Sequence, residues 1–155
     1  MRFLLLAIAI PMALLAAPAL AQTADVSPVK VTADSFVVDD TSHLATFSGK
    51  VVVTRKGLNL WADKLVVEYG AAGQSDITGF TATGHVRIKT EDQDATGQRA
   101  IFDPKTQILR LLDDVTVVNA QGTVKGPELT IDLAANTSVF KSNAGGRVTG
   151  VFIPQ

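Results

Sequence analysis

The chain has 155 residues, the length of one domain, with 14 Lys and Arg against 15 Asp and Glu, a formal net charge of −1 and no cysteine. That balance lacks the basic excess of a nucleic-acid-binding face, and the missing thiols exclude a disulfide scaffold or a thiolate metal site. No glycine-rich loop of phosphate-cradling spacing occurs, so nucleotide chemistry is not expected either.

Residues Met1 to Ala21, MRFLLLAIAIPMALLAAPALA, read as a cleavable secretory signal. Arg2 precedes a long apolar stretch, and Ala19-Leu20-Ala21 is the small-x-small pattern that signal peptidase cuts. Pro11 and Pro18 interrupt the stretch, which argues against a retained membrane anchor. The expectation is cleavage before Gln22, export, and a single domain over 22–155 resting on an apolar core.

That segment reads as strands. The chain holds 18 Val and 16 Thr, residues suited to a pleated, half-buried surface. The small residues Ala33, Ala62, Gly97 and Gly126 anchor a repeat with spacings of 29, 35 and 29. Apolar residues stand two before each anchor (Val31, Leu60, Ala95, Val124), three after (Phe36, Leu65, Ala100, Leu129) and five after (Val38, Val67, Phe102, Ile131). An acid follows at six after: Asp39, Glu68, Asp103 and Asp132. Positions −2 and +3 would face opposite sides of a straight strand, so the chain must change face at a bulge, which a small anchor with a tight backbone allows.

In chain order, each unit is a strand, a corner, a strand, a turn and a long returning strand. Turns are predicted at 39–43, 70–75, 103–107 and 133–137, all polar or small. The returning strands keep one parity: Phe47, Val51 and Val53 around Gly49, Ala82, Val86 and Ile88 around Gly84, and Leu111, Val115 and Val117 around Asp113. Residues Lys105–Asp114 are the stretch most open to a helical reading, but ILRLL runs on into DDVTVV and fits a strand and turn better. Such units stack into two facing antiparallel sheets, a jelly-roll-like or solenoidal all-β sandwich with two uncovered ends. The last residues, GRVTGVFIPQ, leave an apolar edge there.

A catalytic constellation is not found. His43 and His85 stand alone without metal-ligand spacing and read as polar residues at strand ends; no G-x-S-x-G elbow occurs. The acid pairs Asp39-Asp40, Asp113-Asp114 and the EDQD run at 91–94 lie in predicted turns, where Asp is favoured for local hydrogen bonds. Neither enzymatic activity nor a cofactor is expected. Arg55-Lys56, and Arg87 with Lys89, read as outward-facing cations on a solvated face or a cleft rim. Trp61, next to the anchor Ala62, reads either as a half-buried corner aromatic or as part of a contact surface. The positive signal is the inner face: Val31, Phe36, Val38, Phe47, Val51, Val53, Leu60, Leu65, Val67, Val86, Ile88, Phe102, Leu111, Val115, Val117, Leu129, Ile131 and Phe140. It is either a filled core or a partly open groove for acyl chains, and periodicity leaves both readings standing.

The stretch ATFSGKVVVTRKGLNLWADKLVVEY (45–69) resembles the signature of the OstA/LptA family, in which a TFxGxVxV strand precedes an ADKxxV strand. VKGPELTIDLAANTSVF (124–140) and RVTGVFIP (147–154) resemble that family's last repeat and closing strand, so the likeness spans essentially all of 22–155. It implies a twisted, V-shaped β-jellyroll in the periplasm whose interior shields the acyl chains of lipopolysaccharide. It further implies head-to-tail self-association, an LptC-like inner-membrane partner at the N-terminal edge and an LptD-like outer-membrane partner at the C-terminal edge. By position, Val29 and Val31 match the first strand at the groove's entry, and Phe102 matches an inward aromatic. Pro104 stands where an apolar strand residue is expected, and 70–97 is shorter and more divergent. The docking edges are then Val29, Lys30, Val31 and Thr32 at one end, and Val148, Thr149, Val151, Phe152 and Ile153 at the other. Pro154, lacking an N–H, would stop the pairing. The residues leave two alternatives: a filament-type envelope scaffold without lipid cargo, and the soluble domain of an LptC-like relative.

Overall fold

The computed structural model describes residues 28–143 and 145–154; the predicted signal segment lies outside them. The described residues form ten strands and no helix. They are β1 (Lys30–Thr32), β2 (Ser35–Asp39), β3 (Leu44–Arg55), β4 (Leu58–Tyr69), β5 (Ile77–Thr90), β6 (Gln93–Asp103), β7 (Ile108–Asn119), β8 (Gly122–Asp132), β9 (Thr137–Lys141) and β10 (Thr149–Phe152). All pairings are antiparallel, in the order β1-β3-β4-β5-β6-β7-β8-β10, with β2 also on β3 and β9 also on β8. The two sheets expected from sequence are thus the two arms of one continuous sheet.

A line of bulges divides the arms. Two residues in β3, β5 and β7 (Gly49-Lys50, Gly84-His85, Asp113-Asp114) lie opposite one in β4, β6 and β8 (Asp63, Gln98, Pro127). Inserting one residue flips the face of everything beyond it, and inserting two restores it. Leu60 and Leu65 therefore both point inward on β4, as the repeat required, while Phe47 and Val51 do so on β3 without a change of parity. Both residues of each double insertion have positive φ: 82° and 46°, 80° and 46°, and 65° and 54° along β3, β5 and β7.

Several expectations need correction. The returning strands are interrupted by the bulges too, and carry their inserted residues. Asp113-Asp114 sit in the bulge of β7, not in a turn, and His85 sits in the bulge of β5, not at a strand end. Within EDQD only Glu91-Asp92 belong to a reversal; Gln93 and Asp94 open β6. Pro104 lies in the reversal 104–107, where it occupies no strand position at all. Gly97 and Gly126 are not glycine for a left-handed backbone either, since neither has positive φ. A Cβ on Gly97 would lie 2.9 Å from Leu111 Cγ, and one on Gly126 would lie 3.0 Å from Phe140 Cδ1. Leu111 and Phe140 belong to the other arm, so these glycines are where the arms meet.

The turns are local chemistry. Asp39 Oδ1 accepts from the Thr41 and Ser42 amides, Asp103 Oδ1 from Lys105 and Thr106, and Asp132 Oδ1 from Ala135. The Ser42 hydroxyl, followed by the Ser42 and Thr41 amides, holds the Asp39 carboxyl below the usual carboxylate range, and the Lys105 and Thr106 amides do the same for Asp103. The repeated acid six after each anchor is a turn cap in three of the four units.

Candidate functional site

The register assembles the inner face as rungs crossing the whole sheet. One runs Phe36, Phe47, Leu65, Ala82, Ala100, Leu111, Leu129, Phe140. The next, towards the arm's tip, runs Val38, Ala45, Val67, Phe80, Phe102, Leu109, Ile131, Ser138. On the other arm Val31, Val53, Leu60, Ile88, Ala95, Val117, Val124 and Gly150 form a third. Beside the bulges lie the pairs Val51–Ala62, Val86–Gly97 and Val115–Gly126. At about 4.8 Å per strand, an eight-strand rung extends roughly 34 Å along the stacking axis.

Burial divides these rungs. Val51, Val86, Leu111 and Val115, next to the bulges, are only 1% exposed, and Leu129 and Leu65 nearly as little. Away from that vertex, Val31, Val38, Phe47, Val53, Leu60, Phe80, Leu109, Ile131 and Phe140 pack against the core but remain half-exposed, as does Phe102. The vertex is filled like any sandwich core, and the open apolar surface lies along the arms and at the ends. Phe36 is more than half exposed at the first end, stacked on Phe47 with ring centroids 4.4 Å apart. Phe80 tilts onto Phe102 at 6.1 Å.

Every predicted groove residue except Val29 falls on one of these rungs or, for Val51 and Val86, on the pairs beside the bulges; Val29 is exposed just ahead of β1. Phe80, Leu109 and Tyr69 were missed, although parity could have found them: each extends the alternation of its strand by one step, as in Leu65, Val67, Tyr69. Tyr69 is buried, and its hydroxyl donates to Asp40 Oδ1 at 2.7 Å, a bond that pushes the phenol up to about 12. The segments predicted to dock sit at opposite ends of the strand order, β1 beyond β3 and β10 beyond β8. Val151, Phe152 and Ile153 are about two-thirds exposed.

The outer face carries the ion pairs. Arg87 makes a bidentate pair with Asp94 and lies over the Trp61 ring 5.6 Å from its centroid, so Trp61 is a half-buried outer-face aromatic under a guanidinium. The Arg87 guanidinium holds the Asp94 carboxyl below the usual range. Arg110 pairs with Glu128, and His85 Nδ1 meets Asp63 Oδ2 at 2.8 Å across the bulge line. Among the described residues no group of three or more His, Cys, Asp or Glu is arranged to hold a metal ion.

A family model described as LptA/(LptD N-terminal domain) LPS transport protein matches residues 30–137, the whole run from β1 to the start of β9. The chain belongs to that family. Family members similar to it include the lipopolysaccharide export system protein LptA of Escherichia coli, 26% identical over 143 residues, which span 88% of this chain and 77% of that one. The protein of the same name from Haemophilus influenzae is 24% identical over 133 residues, covering 82% of this chain and 77% of the relative. The crystal structure of LptH, the LptA-homologous periplasmic component of the lipopolysaccharide transport device of Pseudomonas aeruginosa, has the same fold. It superposes with a TM-score of 0.71 at 21% identity, covering 82% of this chain and 96% of LptH. The fold assigned from sequence, an all-β jellyroll of the LptA type, is the fold observed.

Proposed function

We propose that this member of the lipopolysaccharide-transport family is a periplasmic carrier, exported after loss of residues 1–21. It holds the acyl chains of lipopolysaccharide against the inner face and bridges membrane complexes. The observation that carries the reading is the apolar surface left half-exposed along the arms, from Val31, Phe36 and Phe47 to Ile131 and Phe140. Each Å² of acyl chain removed from water there is worth roughly 25 cal/mol, while sugars and phosphates stay outside. The role is passive and non-enzymatic, so the energy for direction comes from elsewhere in the pathway. An LptC-like inner-membrane protein meets the β1 edge, an LptD-like outer-membrane protein meets the β10 edge, and copies add head to tail by β-augmentation.

The test is Phe47→Asp and Phe102→Asp, read by photo-crosslinking to lipopolysaccharide from probes at inner positions such as Leu109. A charge on either rung abolishes the crosslink in a protein that remains folded; undiminished crosslinking would reject the groove. The packed vertex favours a second reading, a scaffold without cargo. That reading holds if wild-type protein purified from cells carries no lipid and yet polymerises with concentration.

A further inference from the structure

β10 is barely part of the domain it closes. Its contact with β8 is a ladder of four pairs, from Thr149↔Lys125 to Phe152↔Gly122, extended by the Ile153 amide donating to the Gln121 carbonyl at 2.9 Å. None of Thr149–Phe152 belongs to the core, and all four residues are exposed. Removing β10 from β8 would therefore disturb no core packing, and such segments open at the low end of a protein's local stabilities. The seat it would vacate is shaped for it. A Cβ on Gly122 would overlap the Val151 carbonyl, so only glycine at that position lets the β10 backbone come this close. The connection from β9, residues 142–148, contains Gly145-Gly146 and can reach roughly 23–25 Å when extended.

An element held by its own sheet alone, with a seat specific for it and a connection long enough to leave, has a second seat available on any other copy of the chain. We propose that β10 is an exchangeable strand: two copies pair by each laying β10 on the Gly122–Lys125 edge of the other's β8. The occupant is thus a second copy of this chain, and the contact is the one already seen within the domain, made between molecules. Such a pair closes on itself with the two C-terminal ends together. In it each β10 keeps the kind of neighbour it has in the single molecule, a β8 edge, and its outer edge stays open. The inference rests on reading β10 as the joining strand and fails separately from it.

The absence of cysteine makes the test clean. Chains carrying only Lys125→Cys and chains carrying only Thr149→Cys are mixed, unfolded and refolded together, then oxidised; a disulfide needs Cα atoms about 4.4–6.8 Å apart, which pairing on adjacent strands provides. The expected result is a covalent heterodimer, increasing with concentration and at least tenfold above a control mixture of Lys125→Cys and Lys105→Cys. Adding Gly122→Ala to both chains removes it. A heterodimer no more abundant than the control overturns the proposal, whether a Lys125→Cys/Thr149→Cys double variant closes its disulfide within one chain or not at all. If exchange fails while deletion of 148–155 still abolishes bridging, the joining role stands and only the exchange falls.

Discussion

Among the described residues Asp113 and Asp114 are the one pair of consecutive non-glycine residues in the left-handed region, where the equivalent bulges of β3 and β5 begin with glycine. A non-glycine residue there costs on the order of 1 kcal/mol, less for Asp than for most. Asp113→Gly should therefore raise stability by up to about 1 kcal/mol in urea unfolding. Gly84→Ala should lower it by more, because φ is +80° and the new Cβ would strike the Asp63 carboxylate. Tyr69 contributes to the alkaline side of the stability profile. Its folded pKa is raised to about 12 by the bond to Asp40, so its contribution is complete below pH 10 and is lost as pH rises from about 10 to 12. Tyr69→Phe should remove that loss from the pH profile of thermal unfolding. In sequence the acids six after each anchor were visible as a pattern and their turn chemistry was expected, but which amides each one accepts from was not, because that depends on where each turn closes.

The bent strand is the unit at the next scale. A face change between Leu60 and Leu65 is legible in the apolar alternation, since side-chain alternation is a local property. The reason Gly97 and Gly126 are small is not local. Gly97 is small because Leu111 of the opposite arm lies on it, a contact that exists only once the sheet has folded along its bulges. Gly97→Ala should destabilise the domain by about 1–3 kcal/mol through overpacking, and a second change, Leu111→Ala, should recover part of that loss in a double-mutant cycle. Were the anchor small for backbone reasons, the two effects would simply add.

For the whole molecule, the sheet ends at exposed edges rather than closing, and β1 and β10 lie at the two ends of the strand order. Deleting residues 148–155 removes no core residue and should leave a folded protein that binds lipopolysaccharide yet no longer bridges or polymerises. Sedimentation and lipid crosslinking of the same sample check both halves of that expectation. By itself the sequence determined the strands, their four-unit repeat, the turns and the inner face, because these follow from period-two alternation and turn chemistry acting over a few residues. Only the tertiary structure decided that the two sheets are one sheet bent at a line of bulges. It alone decided which inner residues fill the vertex and which remain half-exposed, and how loosely the closing strand is held. The first two depend on how the arms meet, through contacts such as Leu111 on Gly97 and Phe140 on Gly126, between residues 14 apart along the chain that lie on opposite arms, and the last on a ladder of four pairs with β8 alone.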